Sequence, residues 1–320
     1  MSDLPAAVSI REVGPREGFQ IEKGPVSTVD KVRLIDALSE TGVKEIEIVS
    51  FVRPDLVPQM ADASEVVKQI RYNPDIRYQG VYLNAAGILR AKATGRLDLR
   101  PLLVISASES FSKRNNNRTI EQAIQAQPER LAIFKEAGLD STMVGVTAAF
   151  GCNFEGDVPL EQVVGLLDRL YAIAREHGFS VDGISLMDTM GWANPVQVKR
   201  TLSAIRDRWP EMPVGIHFHD TRGLGIANAF AALEMGIAQF DTAVGGLGGC
   251  PFAGNRGAAG NISTEDFLLL CQEIGVDTGV SMDAMIECAK MAEDIVGHPL
   301  PGKVKTGGDL CAFRSRAHSA

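Results

Sequence analysis

An alternation running the length of this 320-residue chain does most to limit its fold. Eight short runs suited to buried strands lie at 8–13, 45–51, 78–83, 99–106, 141–149, 183–187, 214–218 and 239–244. Between them lie stretches with helical spacing of apolar residues, at 29–41, 61–70, 119–137, 160–177, 195–208 and 226–235. Several of these close on a helix-stop glycine: Gly42, Gly138, Gly178 or Gly236. Eight strands alternating with helices predict an α/β fold, a (β/α)8 TIM barrel. The rival, a doubly wound open sheet, lacks the G-x-G-x-x-G turn that would open its first helix. Helical patterns at 264–274 and 281–295 follow the eighth strand as extra C-terminal helices. No linker or low-complexity tract interrupts the pattern, so residues 1–320 are expected to form a single domain.

A barrel of this kind collects its functional groups at the C-terminal ends of the strands. Strand one runs into Arg16 and Glu17, strand two carries Glu47 and Ser50, and strand six ends in Asp188. Strand seven, Val214-Gly215-Ile216-His217-Phe218-His219, places His217 and His219 on one face because side chains alternate along a strand. Glu17, His217 and His219, with Asn261 as a further candidate, offer the mixed oxygen and nitrogen ligands that suit Mg²⁺ or Mn²⁺. Arg16, permanently charged, is placed to stabilise an oxygen that becomes negative during a reaction. Its structural alternative is an ion pair with Glu47 or Asp188. Asp188 itself suits a general base, or a group that fixes a histidine tautomer. Cys250 sits in the glycine-rich stretch 245–259 after strand eight, where a thiol can close over a site as acid or base. Lys113 and Arg114, after strand four, form a small basic cluster suited to the phosphates of a cofactor-like substrate.

The balance of charge narrows the partners. A net charge of −8 and a pI near 5.3 argue against nucleic acid or an anionic membrane surface. Five dispersed cysteines without a C-x-x-C pair suggest reduced thiols rather than a disulfide framework or a zinc knuckle. No signal-peptide pattern or membrane-spanning run is evident, and a cytoplasmic protein is expected.

Four segments carry a resemblance. They are Glu12-Val13-Gly14-Pro15-Arg16-Glu17-Gly18-Phe19-Gln20, Ser50-Phe51-Val52 with Val57-Pro58-Gln59-Met60, His217-Phe218-His219-Asp220-Thr221, and Gly246-Leu247-Gly248-Gly249-Cys250-Pro251-Phe252-Ala253. They resemble the hydroxymethylglutaryl-CoA lyases of the DRE-TIM superfamily of metal-dependent lyases and Claisen-type synthases. The resemblance implies retro-Claisen cleavage of 3-hydroxy-3-methylglutaryl-CoA, with coenzyme A carried as part of the substrate, and a homodimer. It implies metal ligation at Glu17, His217, His219 and Asn261, enolate stabilisation by Arg16 and an acid/base thiol at Cys250. Glu47 and Asp188 are then expected to handle the proton of the substrate hydroxyl. Three departures stand out: Glu17 replaces the family's aspartate, and the Cys250-to-Asn261 interval is longer. Asn153 and Phe154 also stand where the family usually has proline and tyrosine. Another short branched 3-hydroxyacyl-CoA, a condensing synthase and a non-catalytic acyl-CoA-binding barrel are the competing readings.

Overall fold

The computed structural model describes residues 4–249 and 260–317, so Cys250 and the 254–257 segment lie outside the described residues. Eight parallel strands form one curled sheet: β1 (Ser9–Glu12), β2 (Glu45–Ser50), β3 (Arg77–Val81), β4 (Leu102–Ser106), β5 (Ser141–Thr147), β6 (Ser180–Asp188), β7 (Val214–Phe218) and β8 (Gln239–Thr242). Their order is β3-β2-β1-β8-β7-β6-β5-β4, so first and last strands pair and the sheet closes on itself apart from a seam between β3 and β4. This is the expected (β/α)8 barrel.

Alternation along the strands divides two environments. Ile10 on β1, Ile46 on β2, Val144 on β5 and Ile216 on β7 are all but fully buried in the apolar core. The opposite faces carry Arg11, Glu45, Glu47, Gln79 and Asp241, which meet one another across the barrel. Arg77 and Arg100 both lie against Glu45. The closed interior is therefore charged and satisfied by pairing rather than filled with aliphatic side chains.

Strand and helix ends follow local chemistry. β5 stops two residues short of the expected run because Ala148 turns to φ 52°, its N–H donating to Thr189 Oγ1 at 2.9 Å. β6 starts earlier than expected because Ser180 and Val181 pair with Ser141 and Thr142. The stretch expected as one helix at 119–137 is two, Ile120–Gln125 and Gln127–Glu136. Pro128 has no N–H to continue the first helix and is accepted only in the opening turn of the second. Two further helices, Ala85–Ala93 and Glu109–Asn116, were not expected; Asn84 and Ser108 cap them. The C-terminal helices span Thr264–Ile274 and Met282–Val296, followed by two shorter helices at Val304–Gly307 and Leu310–Ala317. No helix among the described residues is long and apolar enough to cross a membrane.

Candidate active site

β1 ends at Glu12, and the chain then makes one wide helical turn, Gly14–Gly18, that swings Arg16 and Glu17 over the mouth of the barrel. Glu17 Oε1 lies 3.6 Å from His217 Nε2 and 3.4 Å from His219 Nε2. The two Nε2 atoms are 3.0 Å apart. Three ligand atoms thus converge on one point, the only such group among the described residues.

His217 is oriented from behind. Its Nδ1 lies 3.2 Å from Asp241 Oδ2, and Arg11 grips the same carboxylate with bonds of 2.8 and 2.6 Å. The three residues stand level with one another on adjacent strands, Arg11 opposite Asp241 and Asp241 opposite His217. A carboxylate on Nδ1 fixes the tautomer and leaves Nε2 for a metal. Asp241, not Asp188, plays this part.

The charges agree with that assignment. Burial opposes ionisation of Glu17, but His217 and Arg16 outweigh it and hold the carboxyl well below its usual range. Burial also opposes a charge on His217, yet Glu17 and Asp241 raise its pKa to about 10. Burial would raise the Asp241 pKa, and Arg11 and His217 overcome it, so Asp241 stays ionised. A cation arriving here would displace a proton from a site already organised for positive charge.

Arg16 is the bridge between two carboxylates. It donates to Glu47 Oε1 at 2.5 Å through Nε and to Glu17 Oε2 at 3.1 Å through Nη2. The ion pair with Glu47 expected as its structural alternative is present. It leaves the guanidinium at the mouth, held between Glu17 Oε2 and Glu47 Oε1 rather than turned away.

Asn261 lies beside this group. Its backbone bridges His219 and its Nδ2 donates to Leu247 O at 2.9 Å. Its Oδ1 is buried with no hydrogen-bond partner. A buried amide oxygen is rarely left so, and a metal ligand is its natural use here. Gly248, at φ +102°, permits the approach: a Cβ there would lie 2.5 Å from Asn261 Nδ2 and 3.2 Å from Glu17 Cγ. The donor set fits a divalent metal.

The remaining expected residues occupy other positions. Both oxygens of buried Asp188 accept backbone N–H groups, from Trp192 at 2.7 Å and Ala193 at 3.1 Å. Burial raises its pKa against those bonds and the nearby His219. Lys113 pairs with Glu109 at 3.0 Å, while the Arg114 guanidinium lies over the Phe154 ring at 4.3 Å. Asn153 Oδ1 accepts from Arg222 Nη2 at 2.9 Å. Both departures on the loop after β5 therefore contact an arginine. Cys271 and Cys288 are buried in helices, and burial pushes each thiol up to about 12, as befits structural positions. Sequence reasoning missed Arg11, Asp241 and Glu12, although charged residues inside strand-like runs were a signal.

Comparison with known proteins accords with this geometry. The chain is 38% identical to hydroxymethylglutaryl-CoA lyase YngG of Bacillus subtilis, over 93% of this chain and 96% of that one. It is equally similar to the human mitochondrial hydroxymethylglutaryl-CoA lyase, covering 95% of this chain and 90% of the other. The solved hydroxymethylglutaryl-CoA lyase of Pseudomonas aeruginosa superposes with a TM-score of 0.86 at 35% identity, covering 97% and 99% of the two chains. An HMG-CoA lyase from Acinetobacter baumannii, solved with coenzyme A and 3-methylmalate, gives 0.84 at 38% identity over 97% and 96%. The HMGL-like family model matches residues 7–292, a span that holds every residue of the site above, and the chain belongs to that family.

Proposed function

We propose that this chain is a divalent-metal-dependent carbon–carbon lyase that cleaves 3-hydroxy-3-methylglutaryl-CoA to acetyl-CoA and acetoacetate. The observation that carries the reading is the convergence of Glu17, His217 and His219 beside the unpartnered Asn261 Oδ1, with Arg16 fixed alongside. The names of relatives 38% identical over nearly the whole chain support the substrate.

Glu17, His217, His219 and Asn261 would hold Mg²⁺ or Mn²⁺, which when bound supplies Lewis acidity toward the substrate oxygens. Glu47 and Asp188 handle the proton of the tertiary hydroxyl. As that proton leaves, the C–O bond becomes a carbonyl, the adjacent C–C bond breaks and its electron pair passes into the thioester enolate. Arg16 stabilises the enolate oxygen, and the Cys250 thiol returns a proton to carbon. Lys113 and Arg114, on the helix after β4, receive the phosphates of the coenzyme A portion. Reduced, buried thiols at Cys152, Cys271 and Cys288 suit a reducing cytoplasm. Family likeness supports a homodimer, which light scattering would test.

The test is acetyl-CoA release from hydroxymethylglutaryl-CoA and other branched 3-hydroxyacyl-CoAs, with Mg²⁺ or Mn²⁺ added. We expect metal-dependent cleavage of hydroxymethylglutaryl-CoA, reduced about 100-fold or more in Cys250→Ser. Activity on another thioester alone would overturn the substrate and keep the reaction. Inactivity on all of them, with metal bound, would sink the lyase reading.

A further inference from the structure

At the seam between β3 and β4, where the two edge strands form no ladder, a cavity of about 130 Å³ opens into the barrel wall. One end is polar. Arg130 reaches it from the helix Gln127–Glu136, and its guanidinium donates to Leu102 O at 3.2 Å without a carboxylate partner among the described residues. Arg100 stands beside it, with Glu45 as its nearest carboxylate at 4.0 Å. The Tyr82 hydroxyl is buried at this end and faces the backbone of Arg100. The lining also includes the aliphatic side chains of Leu102, Val104 and Met143, with Arg11, Gln79 and Ser185 among them.

Burial pushes the Arg130 pKa down and so does Arg118, while Tyr82 opposes them. An arginine so placed stays charged at a cost that an anion would relieve. Burial, with Asp98 nearby, raises the Tyr82 pKa, so its phenol remains a donor. Two acids also line the cavity. Glu47 is already neutralised by Arg16 through its 2.5 Å contact, and Asp98 is exposed.

We infer that this cavity is a second ligand site, built for a small carboxylate with a short aliphatic tail. The guanidinium forks and the phenol take the carboxylate, and Leu102, Val104 and Met143 cover the tail. A cavity of about 130 Å³ admits such an acid and excludes a coenzyme A thioester. Because Glu47 borders it and holds Arg16, an occupant would be felt at the mouth of the barrel.

The experiment is calorimetric titration and thermal melting of the whole chain with butyrate, acetate and inorganic phosphate at constant ionic strength. Wild type should bind butyrate saturably and melt higher with it. Acetate should bind more weakly for want of a tail, and phosphate weaker still. Arg130→Met and Tyr82→Phe should each weaken butyrate binding about tenfold or more. Arg130→Met should melt no lower than wild type without ligand, since it removes a half-buried charge that has no carboxylate partner among the described residues. Saturable binding unchanged in both variants, absence of saturable binding by wild type, or preference for phosphate would each overturn the proposal. A low-melting Arg130→Met leaves Tyr82→Phe as the deciding variant.

Discussion

Glu12 and Glu17 stand five residues apart, both almost sealed from water, and they carry opposite electrostatics. Glu12 faces neutral donors only. Its Oε1 accepts from Gly14 N at 2.8 Å and Val244 N at 2.9 Å, and its Oε2 from Thr264 Oγ1 at 2.6 Å. Burial outweighs those bonds, and its pKa rises to about 7. Glu17 suffers the same burial, but His217 and Arg16 beside it drive its pKa the other way. The difference lies in the partners. Neutral donors make a brace that ties β1 to the segment after β8, and cationic neighbours make a carboxylate ready for a metal.

The largest expected effect comes from destroying the Glu17 side of this contrast. Glu17→Ala should lose bound metal and lower kcat/KM by about 100-fold or more, as read by elemental analysis and kinetics. Glu17→Asp, which restores the family's usual residue, should keep both. Removing the brace is next. Glu12→Ala strands three buried donors and should cost about 3 kcal/mol in urea unfolding, with metal content per folded molecule unchanged.

Asp241→Asn tests the support behind His217. It should weaken Mn²⁺ binding by about 10- to 100-fold by calorimetry, while the melting temperature of the metal-free protein moves less than in Glu12→Ala.

The smallest effect sharpens the comparison through pH. Glu12 has a folded pKa of about 7 against an ordinary value of 4.5, so the folded state holds its proton longer than the unfolded chain. The stabilisation is fully present below pH 4.5 and is lost as pH rises toward 7. Glu12→Gln cannot lose that proton. The stability of wild type relative to Glu12→Gln should fall by roughly 1 to 3 kcal/mol between those limits, measured by urea unfolding at each pH. A flat difference would show that Glu12 titrates alike in both states. Glu265, whose pKa burial also raises to about 7, helps raise that of Glu12, so the difference reports the two carboxyls together.

Much of the site was legible because it depends on local pattern. His217 and His219 share a face by the two-residue period of a strand, and Glu17 follows the first strand where a barrel places its chemistry. Asn261 was placed by resemblance, and its unpartnered oxygen gives that placement a physical basis. Arg11 and Asp241 were not legible because their pairing spans 230 residues and rests on the β1–β8 register. The carboxylate on His217 Nδ1 is Asp241 rather than Asp188 for the same reason. In the fold, the strand count and order followed from alternation. The break before Pro128 and the helix at Glu109–Asn116 turn on capping and a missing donor, which apolar spacing does not record.

The pairing of β1 with β8 also sets a timetable for synthesis. Arg11 and Glu17 leave the ribosome early, whereas Asp241 and Asn261 arrive more than two hundred residues later. Until then the nascent chain carries an open β1 edge, an Arg11 that lacks Asp241 and an incomplete ligand set. A chain ending before β8 would be expected to capture no metal, so metal retention would report completion of the barrel rather than its beginning.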